Sequence, residues 1–103
     1  MKVNRNFRDK DDALREDLYE AIALIKTKDE ALKFFEDLCT PRELEAMADR
    51  FRLVALIKAG VSYRQISAET KISVTTIGRV ARSLMMGEGG YDLIYNRLLK
   101  YKK

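Results

Sequence analysis

The apolar residues of this 103-residue chain recur at steps of three and four almost from end to end, the period of a helix with one buried face. Leu14, Leu18, Ala21, Ile22 and Ile25 form one such stripe and predict a first helix from about Asp9 to Lys26. Thr27 followed three residues later by Glu30 has the form of a capping box, so a second helix begins there and turns Ala31, Phe34, Phe35 and Leu38 inward. The run Thr40, Pro41, Arg42, Glu43 signs a third start: a capping hydroxyl, a proline where an N–H would have no partner, and an acid three after the cap. The helix it opens carries Leu44, Met47, Ala48, Phe51, Leu53, Val54, Ala55, Leu56 and Ile57. Only Glu45, Asp49, Arg52 and Lys58 remain as its wet strip, so it needs cover on several sides.

Gly60 stands where a left-handed residue would close that helix. Ser62, with Gln65 three residues on, starts a short fourth helix to about Thr70, and Ser73 opens a fifth to Met86. Gly87, Gly89 and Gly90 break it, and a last helix from Tyr91 to about Tyr101 keeps Tyr91, Ile94, Tyr95, Leu98 and Leu99 to one side. No Val/Ile/Thr alternation is long enough for a strand. The expectation is an all-α chain of six helices forming one domain over residues 1–103. Six short helices make a thin core for a monomer, yet helices one, two, three and six each present a broad apolar face. A homodimer is therefore expected, with residues of about 9–60 and 91–101 forming its core; residues 62–86 make up a separate segment.

Composition narrows the chemistry. There is no His and no Trp, and the single cysteine, Cys39, can make neither a disulfide framework nor a metal cluster. With no imidazole to shuttle protons, no ligand set for a metal, no phosphate-binding glycine loop and no base evident beside Cys39, no catalytic site and no cofactor are expected. Asp11 and Asp12 read as a solvated, dipole-favoured first turn. Met1 to Lys10 is polar, and no segment approaches the roughly 18 apolar residues of a membrane span, so a soluble cytoplasmic protein with no membrane partner is expected.

Charge is unevenly placed. Residues 1–40 hold eight Lys/Arg against ten Asp/Glu, whereas residues 60–103 hold eight against three. A basic C-terminal half favours a polyanionic partner such as double-stranded DNA. Within it, Ser62 to Leu84 reads SYRQISAETKISVTTIGRVARSL, two short helices separated by Lys71 and Ile72. Ile66, Ile72, Ile77 and Val80 are spaced to meet in a wedge between them, with the small Ser67 at the crossing and also a candidate contact to DNA. That is the pattern of a helix-turn-helix. Ser73 would cap the second helix and leave its free N–H groups for a phosphate. Val74, Thr75 and Gly78 are small enough to approach base edges in a major groove, while Arg64, Lys71, Arg79 and Arg82 surround them with positive charge. Lys71 stands where such a turn usually places glycine, which allows a left-handed backbone there.

These residues support a resemblance. From Leu38 to Leu84 the chain, LCTPRELEAMADRFRLV and then the helix-turn-helix, resembles the Trp repressor superfamily, and over its whole length it is similar to the YerC/YecD group of Trp-repressor-related bacterial proteins. The resemblance implies an intertwined all-helical homodimer with two reading heads and a sequence-specific DNA-binding transcriptional regulator, a repressor acting on a palindromic operator. It further implies a pocket for a small effector. Arg50 and Arg79 match the two arginines that sandwich the repressor's indole, and Thr40, Thr76 and Ser83 match other pocket positions. Val80 stands where the repressor has a glycine against the ring; two extra methyls there argue against tryptophan as the ligand. A module that docks another protein through the same helix-turn-helix is the competing expectation.

Overall fold

The computed structural model describes residues 10–103, so the expected helix start at Asp9 lies outside the described residues. Six helices follow: α1 (Lys10–Ala23), α2 (Lys28–Leu38), α3 (Pro41–Lys58), α4 (Tyr63–Thr70), α5 (Val74–Met86) and α6 (Gly90–Tyr101). No strand occurs among the described residues. The chain groups into two compact units, Met1–Thr40 and Pro41–Lys103.

In the N-terminal unit, α1 ends three residues before the apolar stripe predicts. The reason is local. Thr27 must be extended (φ −135°, ψ 161°) for its hydroxyl to accept the Glu30 N–H at 3.0 Å, and the Glu30 carboxylate accepts the Lys26 N–H at 2.9 Å. Cap chemistry thus outweighs the stripe, and Leu24 and Ile25 close the helix with hydrogen bonds three residues back, to Ala21 and Ile22. Phe34 and Phe35 pack edge to face on α2, their ring centroids 5.5 Å apart.

The C-terminal unit has a continuous core. Leu53 and Val54 of α3, Ile66 of α4, Ile72 between the helices, and Ile77 and Val80 of α5 are buried together, with Phe51, Leu56, Ile57, Val61, Leu84, Tyr91 and Tyr95 packed around them. The expected wedge of Ile66, Ile72, Ile77 and Val80 is therefore present. Each such aliphatic side chain contributes about 1.5–3 kcal/mol over its exposed state. Gly60, at φ +81°, ends α3 as expected: its N–H reaches the Ile57 carbonyl and the Val61 N–H reaches that of Leu56, the paired bonds of a Schellman closure. At that end Lys58 pairs with Asp92 and lies 5.9 Å over the Tyr95 ring, tying α3 to α6.

Candidate nucleic-acid interface

The helix-turn-helix is built from the turn outward. Ser62 caps α4 by accepting the Gln65 N–H at 3.1 Å. Lys71 closes α4 in the left-handed region, φ 67° and ψ 14°, with its N–H on the Ser67 carbonyl. Among the described residues it is the one non-glycine at positive φ, a conformation that costs an L-residue about 1 kcal/mol. Two hydroxyls hold the turn against that cost. Ser67 Oγ donates to the Ile72 carbonyl at 2.7 Å, and Thr70 Oγ1 donates to the Ile66 carbonyl at 2.7 Å while accepting the Ile72 N–H at 3.1 Å. Both backbone polar groups of the buried Ile72 are satisfied in this way.

Thr70 is a residue that the sequence pattern leaves unmarked. Its one signal is a hydroxyl in the last turn of a helix ahead of a non-glycine turn, where such side chains bond back to the main chain. Ser67, expected both as the small crossing residue and as a contact to DNA, has its hydroxyl engaged inside the turn.

Ser73 then starts α5 from an extended backbone. Its Oγ accepts the Thr76 N–H and donates to Thr76 Oγ1, both at 3.1 Å. From there α5 is two-sided: Ile77, Val80 and Ala81 are buried, whereas Val74, Thr75, Arg79 and Arg82 are exposed and Gly78 is half-buried on that outer side. Arg64 and Lys71 are exposed as well, and none of the four basic residues is paired with a carboxylate among the described residues. The nearby acid Glu69 is held by Gln65 at 3.0 Å. Unpaired cations beside a capped helix start leave a positive field open to an incoming anion. Among the described residues no group of His, Cys, Asp or Glu could hold a metal ion, and no helix is long and apolar enough to cross a membrane.

The residues expected to line an effector pocket do not all converge. Arg50 and Thr76 share a cleft of about 380 Å³ with Glu45, Ala46, Asp49, Thr70, Lys71 and Ile72. Ser83 lines a different cavity, with Gly87 to Tyr91. Val80 is packed in the core, Arg79 is exposed outside both cavities, and Thr40 belongs to the N-terminal unit.

A family model described as the Trp repressor protein matches residues 14–99. The chain belongs to the Trp repressor family. Membership makes it a helix-turn-helix DNA-binding regulator rather than an enzyme. YerC of Bacillus subtilis (strain 168), an uncharacterized protein, is 35% identical over 81 residues, covering 79% of this chain and 78% of YerC. The crystal structure of a TrpR-like protein from Eubacterium eligens ATCC 27750 is 40% identical, covers 90% of this chain and 95% of its own, and superposes with a TM-score of 0.77. A crystal structure from Staphylococcus aureus is 36% identical over 84% of this chain and 86% of its own, with a TM-score of 0.76. The six-helix architecture is thus that of the Trp repressor family.

Proposed function

We propose that this chain works in the cytoplasm as a homodimeric repressor that reads a palindromic DNA site through two copies of α4 and α5. The observation that carries the reading is the two-sidedness of α5: its apolar face is buried in its own unit, and its outer face offers Val74, Thr75, Gly78, Arg79 and Arg82, the two arginines without a carboxylate partner among the described residues. In this reading the amides that begin α5 seat a phosphate and so set the register of the helix. Val74, Thr75 and Gly78 face base edges, and Arg64, Lys71, Arg79 and Arg82 neutralise backbone charge. Two heads joined through a dimer would read half-sites about 34 Å apart, one turn of the duplex. A small effector would act at the cleft beside Arg50 and Thr76. Val80, packed into the core, speaks against an indole ring next to it.

Selection of sequences from a random duplex pool by the pure protein tests the reading. Enrichment of a palindrome is the expected result, unchanged by adding tryptophan, with affinity falling steeply between roughly 50 and 200 mM salt. Failure to enrich any motif, with binding to another protein that is indifferent to salt, would instead make the helix-turn-helix a protein-docking module.

A further inference from the structure

Glycines in this chain mostly have a reason inside the chain. Gly60 and Gly89 hold positive φ, and a Cβ on Gly87 would stand 2.5 Å from the Ser83 carbonyl oxygen. Gly78 has no such reason. It lies in the middle of α5 with ordinary helical geometry, and beyond its sequence neighbours and the adjoining helix backbone no heavy atom of the described residues lies within 4 Å of where its Cβ would be. A glycine in a helix interior weakens the helix relative to alanine, so the chain carries a local weakness that its own packing does not require.

The surroundings of that gap describe what would fill it. One turn away along the helix surface stand Val74 and Thr75 on one side and Arg82 on the other, all exposed, Val74 by 53%. The missing side chain therefore leaves a notch on the outer face, with Val74 and Thr75 one turn away on one side. The notch floor is helix backbone, whose N–H and C=O are already committed to intrahelical bonds, so it offers no donor to a phosphate and no polar reader for a base heteroatom. It suits an apolar group small enough to enter. On the major-groove edges of base pairs there is one, the C5-methyl of thymine.

We propose that Gly78 is a specificity-determining position whose notch receives a thymine methyl group. This rests on the reading of α5 as the helix that enters the groove. The experiment takes the duplex enriched by the wild-type protein and replaces each thymine in turn by deoxyuridine, measuring affinity for wild type and Gly78→Ala. At one thymine in each half-site, loss of the methyl lowers wild-type affinity about fourfold. Gly78→Ala lowers affinity for the parent duplex about tenfold and has almost no further effect once that methyl is gone, the signature of two groups in contact. The same substitution raises the melting temperature by about 4 °C, which separates a binding role from a structural one.

Equal affinity of Gly78→Ala for the parent duplex overturns the proposal. So does an equal loss on every sequence, which would place the glycine against the DNA backbone, or a change in oligomeric state on sedimentation, which would place it in a protein interface. If the wild type enriches a motif whose thymines are all replaceable, this inference alone falls. If it enriches nothing, the regulator reading falls and takes the inference with it.

Discussion

Residues 41–103 bury apolar side chains from three helices and the turn between α4 and α5 in one core, with Leu53, Val54, Ile66 and Ile77 wholly shielded from solvent. Residues 11–40 do the opposite: Ala13 alone among them is buried, while Leu14, Tyr19, Leu24, Leu32 and Leu38 are exposed. The contrast separates two tasks. The helix-turn-helix is held by contacts inside its own chain. Apolar helices left bare to this degree suit a surface that a second copy covers, as the proposed dimer requires.

The largest expected effect tests the closed half of that contrast. Ile77→Ala removes a fully buried side chain and should lower unfolding free energy by about 3 to 4 kcal/mol in urea titrations. Leu24→Ala, at a site 73% exposed, should cost less than about 1 kcal/mol when the protein is dilute. Comparable losses at both sites would erase the distinction between the two units.

The open half is tested by concentration. If a second copy covers the exposed leucines, folding and association are linked, and each tenfold rise in protein concentration adds about 1.4 kcal/mol per dimer to the apparent stability. The melting temperature should therefore climb with concentration, and sedimentation should show twice the monomer mass. A melting temperature independent of concentration, with monomer mass throughout, would leave Leu14, Tyr19, Leu24, Leu32 and Leu38 as true surface residues.

The same division governs what could be read from sequence. Caps are local chemistry, so Thr27, Ser62 and Ser73 announce their helices, and all three make the expected bonds. The wedge of Ile66, Ile72, Ile77 and Val80 is legible because both helices are short and their spacing leaves one way to meet. The end of α1 is not, because the apolar stripe runs on through Ile25 while the capping residues beyond it demand an extended chain; two sound signals conflict and energy decides. Nor is the hydroxyl clasp of Ser67 and Thr70, whose acceptors are backbone atoms with no mark in the sequence. Nor is the place of Ser83, because matching along the chain does not show which cavity a side chain lines.

The smallest effect expected here concerns the turn. Lys71 sits at φ 67°, where glycine is free of strain, and its charge has no carboxylate partner among the described residues. Lys71→Gly should relieve the left-handed strain while enlarging the freedom of the unfolded chain, two terms of opposite sign that leave a net gain near 0.5 kcal/mol. The same substitution removes one cation from the proposed interface, so the slope of log affinity against log salt should shrink by about one unit on every duplex tested. A more stable protein that binds less steeply would mean that lysine is kept at this turn for an external phosphate. A more stable protein with an unchanged salt slope would assign Lys71 to the cleft it shares with Glu45 and Asp49, where its charge would serve the protein rather than DNA.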